Sequence, residues 1–359
     1  VPESVPEAGF NFRNRIINGD MRIDQRNAGA AIAAATLGIG AYTVDRFLFG
    51  ASQSAKFSAQ QNQGSVTPPA DFNNYLGLTV ASASALGASD FYYFRQNIEG
   101  LNCADLAWGT ANAKSITVSF WVRSSLTGTF GFTLANQGFA RAYPATYTIN
   151  AANTWEQKVI TIAGDTTGTW RTDNQVGMHC TWGLGYGSSL STTANAWNAG
   201  TGYMPNGAVS VVSTAGATWY ITGVQLEVGS TATPFERRPY GTELALCQRY
   251  FEKSYDVGTA VGSNTGQSSA YVHTTSDNGQ NAVVCLTYMV KKRAVPTVTF
   301  YKTDGTSGSW AFNANFTNGT CAMTTVGSNG TTYLNGYGSV GANYAAAMLT
   351  GHFTASAEL

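Results

Sequence analysis

The clearest periodicity along the chain is two. From Ser115 to Arg123 the residues alternate, with Ile116, Val118, Phe120 and Val122 on one face and Ser115, Thr117 and Ser119 on the other. That alternation predicts a half-buried antiparallel strand. Trp121 falls on the polar face, where a neighbouring chain is the expected cover. Shorter runs bounded by Gly, Ser, Asn or Pro predict strands at 42–49, 75–80, 91–96, 129–134, 146–149, 156–162 and 219–228. None is separated from the next by the helical crossover that a parallel sheet demands, so the pattern predicts a sandwich or barrel.

One stretch has helical spacing. Residues 242–255 place Leu244, Cys247 and Phe251 at i, i+3 and i+7, with Leu246 and Tyr250 widening the stripe. Thr242 is the predicted N-cap, and Glu243 falls in the first turn, facing the positive helix end. A helix of about 14 residues is marginal alone, so the stripe must pack on a domain or on copies of itself. Beyond it, strands are predicted at 268–274, 282–290 and 297–301, followed by a Gly/Asn/Thr-rich stretch with Tyr333, Tyr337 and Tyr344. Near the start, apolar residues flank the Asn18-Gly19 turn signal, which predicts a short hairpin or strand entry. The expected organisation is mainly β: an N-terminal segment 1–25, a β-sandwich 26–240, a short linking helix 241–256 and a smaller C-terminal β domain 257–359.

Charge narrows the function classes. The 359 residues carry 20 Lys plus Arg and 20 Asp plus Glu, a net charge of zero, and only 11% are charged. A protein that binds nucleic acid through phosphates needs a basic surplus, so no nucleic-acid partner is expected, and Lys291-Lys292-Arg293 reads as a solvated turn. Zero net charge favours self-association. The Ala/Gly-rich stretch 28–41 is shorter than the roughly 20 residues needed to span a bilayer, so no membrane insertion is expected. The start, Val1-Pro2-Glu3-Ser4, is not read as a secretion signal. Cys103, Cys180, Cys247, Cys285 and Cys321 are odd in number and too dispersed for metal-type spacing. They are expected to be buried free thiols formed in a reducing cytoplasm, with no metal and no cofactor.

Catalytic constellations are sparse. Asp90, Glu99, Asp105, Glu156, Asp165 and Asp173 are the sandwich carboxylates from which an acid/base pair would have to be drawn, and Asp165 and Glu156 occupy ordinary turn and strand-start positions. His179, His273 and His352 lie in no recognised nucleophile-elbow or zinc-protease motif. No catalytic residue is therefore expected. Aromatic residues are the stronger signal, because sugar rings stack their C–H faces on Trp and Tyr. Trp170, Trp182, Tyr186 and Trp197 lie in stretches predicted as loops and are the candidate carbohydrate-binding residues. The competing reading is that they cap the ends of the sandwich core.

Several segments together carry a resemblance. Residues 14–26 (NRIINGDMRIDQR), 42–47 (YTVDRF), 223–236 (GVQLEVGSTATPFE) and 243–251 (ELALCQRYF) resemble virion proteins of tailed bacteriophages, of the tail-fibre or head-fibre type. The stretch at Thr154-Trp155-Glu156 is similar to jelly-roll carbohydrate-binding modules. The resemblance implies a jelly-roll-like β-sandwich in a non-enzymatic fibre, located in the virion after assembly in the host cytoplasm. It implies a homotrimer, with Leu244, Cys247 and Phe251 as candidate contacts, bound to other virion proteins through the N-terminal segment and to a host-surface glycan. Between sandwich loops and C-terminal domain, the latter, with Tyr333, Tyr337 and Tyr344, is the favoured receptor contact. The alternative is a polysaccharide-degrading tailspike-type enzyme, and a secreted lectin is a weaker third.

Overall fold

The computed structural model describes residues 12–200, 202–266, 270–274, 281–314, 317–325, 330–339 and 347–359. The predicted tail at 1–9, Ser268 and Tyr344 lie outside the described residues. The first part of the chain forms β1 (Ala41–Tyr42), β2 (Phe47–Ala51), β3 (Phe57–Gln61), β4 (Leu76–Val80), β5 (Phe91–Glu99), β6 (Ile116–Ser124) and β7 (Gly128–Ala135). It continues with β8 (Ala142–Ile149), β9 (Glu156–Ile162), β10 (Val176–Tyr186), β11 (Ser191–Thr192), β12 (Met204–Pro205) and β13 (Thr218–Val228). One sheet runs β1-β2-β5-β10-β7-β8 and the other β3-β4-β13-β6-β9, both antiparallel. The chain passes repeatedly from one sheet to the other, as at β2 to β3, β4 to β5 and β6 to β7, which makes a jelly-roll-like sandwich of the kind the sequence predicted.

The inward half of the period-two reading of β6 holds: Ile116, Val118, Phe120 and Val122 are all buried between the sheets, whereas Thr117 and Ser119 on the other face are buried as well. From the other sheet they meet Phe94, Phe132 and Trp182, with Phe120 and Trp182 edge to face at 5.6 Å. Trp121 on the outer face is half-buried, beside Phe72 and Gly223 of its own chain. Prediction failed at β10, whose Gly183–Gly187 stretch reads as a loop by composition. Its inward residues Cys180, Trp182 and Leu184 pack in the core, Gly183 faces outward against Met204, and Gly185, past a register shift, pairs with Tyr92 and faces the core side chain of Val212.

Residues 12–25 form no hairpin. Asn18 and Met21 have φ of 60° and 57°, and the Met21 N–H donates to Asn18 O at 2.9 Å in a tight turn without strands. Asn18 is buried and wired on all sides: its Nδ2 donates to Ile23 O and Asp45 O, and its backbone N–H to Glu243 at 2.5 Å. Asn14 Nδ2 donates to Val224 O and Arg238 reaches Glu243, Ile16 O and Asn14 O. The four segments that carry the fibre resemblance therefore converge on one buried polar hub at the base of the sandwich.

The helix α1 (Tyr240–Gln248) is shorter than predicted and starts after Pro239, which has extended ψ, rather than at Thr242. Phe251 lies not on it but on β14 (Phe251–Lys253). Cys247, Tyr250 and Phe251 are buried, and Cys247 and Tyr250 pack with Ile17 and Ile23, with Leu244, Leu246 and Leu359 around them. Of the three candidate trimer contacts, Cys247 and Phe251 are thus buried within the chain itself and Leu244 is half-buried.

Downstream strands are β15 (Ala270–Thr274), β16 (Asn281–Thr287), β17 (Thr297–Tyr301), β18 (Ser309–Ala314), β19 (Thr317–Thr325), β20 (Tyr333–Ser339) and β21 (Ala347–Ser356). Sheet order is β14-β21-β18-β19-β20-β16, with β15 and β17 also on β21, around a core of Phe300, Trp310, Leu334 and Leu349. This second β unit is fastened to the sandwich: Glu358 pairs with Arg46 and Arg26, and Arg293 donates to Asn174 O, Ala357 O and Glu358 O. All five cysteines are free and Cys103, Cys180, Cys247 and Cys321 are buried, whereas Cys285, expected inside, is exposed.

Candidate functional site

The outer face of the β2-β5-β10-β7 sheet is built for an aromatic groove. Along β5 the run Phe91-Tyr92-Tyr93-Phe94 puts Tyr92 and Phe94 in the core, so Phe91 and Tyr93 must face outward. Their rings stack at 5.8 Å with an interplanar angle of 24°. Tyr93 can lie across the neighbouring strand because β2 offers Gly50 there, where a Cβ would meet the ring at 2.2 Å. On the other side, a Cβ at Gly131 of β7 or Gly183 of β10 would meet Met204 Sδ at 2.8 and 2.7 Å. Their absence lets the segment bearing Tyr203 close down onto the sheet, and Thr133 Oγ1 donates to Tyr203 O to hold it.

Phe139 completes the wall. It follows β7 in a short turn and has φ of 59°, a left-handed conformation that costs a bulky residue about 1–2 kcal/mol. Its ring lies flat on His179 at 4.5 Å, with a 5° interplanar angle, and edge-on to Tyr203 at 5.0 Å. His179 Nδ1 is 2.6 Å from Asn97 Oδ1; burial, helped by the Arg95 charge, pushes the imidazole well below its ordinary range, so it is neutral. Arg95 sits at the centre of the floor. Its guanidinium is 4.0 Å from the Tyr93 ring centroid and 4.9 Å from that of Phe139, and its Nε donates to Thr181 Oγ1 at 2.8 Å. Together with Ser89, Tyr186 and Leu190 these residues enclose a cleft of about 260 Å³. The aromatic walls Phe91, Tyr93, Phe139, Tyr186 and Tyr203 are all half-buried, so each offers a ring face or edge to solvent.

The four aromatic candidates from the sequence are not one site. Trp182 belongs to β10, not to a loop, and is fully buried between Phe94, Phe120 and Phe132. Trp170 and Trp197 meet edge to face with Trp108 at one end of the sandwich, and their indole N–H groups donate to Asp165 and Ala163 O. Tyr186 lines the groove, where burial pushes its phenol up. In the C-terminal unit Tyr333 and Tyr337 share a face of β20 and are 38% and 36% exposed. Composition missed Phe91, Tyr93, Arg95, Phe139 and Tyr203. The four-aromatic run of β5 was the available signal, since a strand aromatic on both faces must present rings outside the core.

The carboxylates that a hydrolytic pair would be drawn from are committed elsewhere. Arg249 and Tyr250 donate to Glu99, Arg141 to Asp165, Arg171 to Asp173, Arg15 to Asp105, and Lys158 to Glu156, while Asp90 takes Ser52 and the Gly87 N–H. Among the described residues, no cluster of three or more His, Cys, Asp or Glu could hold a metal ion, and no helix is long and apolar enough to cross a membrane. His352 is buried, 3.0 Å from Thr265 Oγ1 and stacked on Tyr255 at 3.8 Å.

No protein-family model matches the chain, and no curated protein does. Among solved structures it is similar to the enzymatically active domain of tailspike protein 4 of bacteriophage CBA120, at 11% identity and a TM-score of 0.33. That match covers 60% of this chain and only 21% of the tailspike chain. A family 11 carbohydrate-binding module of Clostridium thermocellum, in complex with a β-1,3-1,4-mixed-linked tetrasaccharide, is 10% identical with a TM-score of 0.28, covering 54% of this chain and 95% of the module. A family 61 module in complex with β-1,4-galactotriose is 9% identical with a TM-score of 0.29, covering 61% of this chain and all of the module.

Proposed function

We propose that this chain is a non-catalytic glycan-binding protein whose site is the Tyr93/Phe139/Tyr203 groove, and that it serves as the receptor-binding part of a phage fibre. The observation that carries the first half is the groove itself: half-buried rings around a cleft, with Arg95 and the Tyr hydroxyls as polar handles. Sugar C–H faces stack on such rings while their hydroxyls need fixed donors and acceptors. No carboxylate is among the residues lining the cleft, which supports binding over hydrolysis. The fibre half rests on the sequence resemblance, and with it come the homotrimer and an anchoring role for the N-terminal segment 1–25.

The test uses the full chain. Removing residues 257–359 would take away Glu358 and leave Arg46, which is buried, without its carboxylate. On an oligosaccharide array the intact chain should bind, and Tyr93→Ala or Tyr203→Ala should weaken binding by tenfold or more, while Tyr333→Ala and Trp170→Ala leave it unchanged. Loss confined to Tyr333→Ala or Trp170→Ala would move the site. Polysaccharide incubated with the chain should release no reducing ends; release would restore the tailspike-type enzyme. Light scattering should give three times the 37.9 kDa chain mass, and a monomer would remove the trimer.

A further inference from the structure

Three arginines are buried among the described residues: Arg46, Arg95 and Arg238. Arg46 pairs with Glu358, and Arg238 with Glu243 and Glu236. Arg95, 9% exposed, has no carboxylate within ion-pair distance among the described residues. Its side-chain contacts are neutral: Nε to Thr181, a long 3.4 Å contact from one terminal nitrogen to the Tyr93 hydroxyl, a hydrogen bond with the Tyr186 hydroxyl, and the flanking rings. Taking a cation out of water without a counter-charge is unfavourable, and the neighbouring His179, being neutral, neither repels nor compensates it. The rings and the phenol hydroxyls instead hold the guanidinium in place at the wall of the cleft that it lines. A guanidinium fixed in this way matches the planar two-oxygen geometry of a carboxylate.

Resting on the glycan-binding reading, we infer that the groove selects an acidic sugar: a saccharide unit bearing a carboxylate, which pairs with Arg95 while its ring lies against the half-buried aromatic rings that line the cleft. The missing counter-charge is then supplied by the ligand. Net protein charge plays no part, since the chain as a whole is neutral and the attraction is local.

The experiment is a matched comparison by calorimetry of the intact chain with pairs of oligosaccharides that differ only at C6: galacturonate against galactose trimers, and glucuronate against glucose trimers. At least one acidic member should bind tenfold or more tightly than its neutral counterpart. That preference should shrink as salt is raised, because a partly exposed ion pair is screened. Arg95→Gln should abolish the acid preference, bringing the acidic member down to the affinity of its neutral counterpart. The wild-type preference and its salt dependence do not depend on how the variant folds, and a thermal melt of Arg95→Gln shows whether its result counts. Equal affinity for acidic and neutral members, lost in Tyr93→Ala, would overturn the acidic selection and leave glycan binding standing. No binding to any trimer, with no array binding either, would overturn both.

Discussion

The strained turn at Phe139 gives the sharpest prediction, because stability and binding should respond differently to two substitutions there. Phe139→Ala removes the ring and its contacts with His179 at 4.5 Å and Tyr203 at 5.0 Å, and keeps a side chain at φ of 59°. Two aromatic contacts at about 0.5–1.5 kcal/mol each predict a loss of about 1–3 kcal/mol. Phe139→Gly loses the same contacts and also releases the left-handed strain, about 1–2 kcal/mol, against roughly 0.4–1 kcal/mol of added unfolded-state entropy. The Gly variant should therefore be more stable than the Ala variant by about 0.5–1 kcal/mol, read as a difference in urea midpoints at equal m-value. Both should lose oligosaccharide affinity to the same extent, since both lack the ring. An Ala variant as stable as the Gly variant would refute the claim that strain is stored at this turn. Unchanged affinity in both would remove Phe139 from the site.

Four further outcomes follow from other parts of the structure. Asp45 is buried against Gln25 and its carboxyl is pushed up to about 6 from 3.8 by desolvation, so the folded state holds a proton that the unfolded state has lost. Its contribution to stability should fall as pH rises from about 4 to 6, by about 3 kcal/mol at most, and the difference between wild type and Asp45→Asn in denaturation curves should change across that window and be flat outside it. Glu99→Gln should destabilise the chain by about 1.5–3 kcal/mol in urea titration, because Glu99 receives Arg249 and Tyr250 across the junction of sandwich and helix. Trp182→Ala should cost about 3–5 kcal/mol as a core cavity, measurable as a lowered urea midpoint. A thiol reagent should modify Cys285 quickly in the folded chain and all five cysteines after unfolding, since Cys103 and Cys321 are pushed up to about 12 and about 11 by burial.

The sequence by itself determined the fold class and most of the sandwich strands. Alternation is a local property, so Ile116 to Val122 declared their faces, and 156–162 and 297–301 were legible to the residue. It was blind to β10, because Gly183 and Gly185 and the register shift between them break the alternation and leave a stretch that looks like a loop. It also could not say where the apolar side of the helix would go, since Leu244 and Cys247 satisfy the same spacing whether they meet Ile17, Ile23 and Leu359 of their own chain or a partner. Of the groove the sequence nominated only Tyr186, and its assembly belongs to tertiary structure. Tyr93 and Arg95 come from β5, His179 from β10, Phe139 from a turn and Tyr203 from beyond β11, and only sheet pairing and three missing Cβ atoms bring their rings together. The aromatic excess was visible in composition, but burial assigned the roles: it put Trp182 in the core and left half-buried the rings that a ligand can reach, because which face of a strand meets solvent is decided by the sheet packed on its other side.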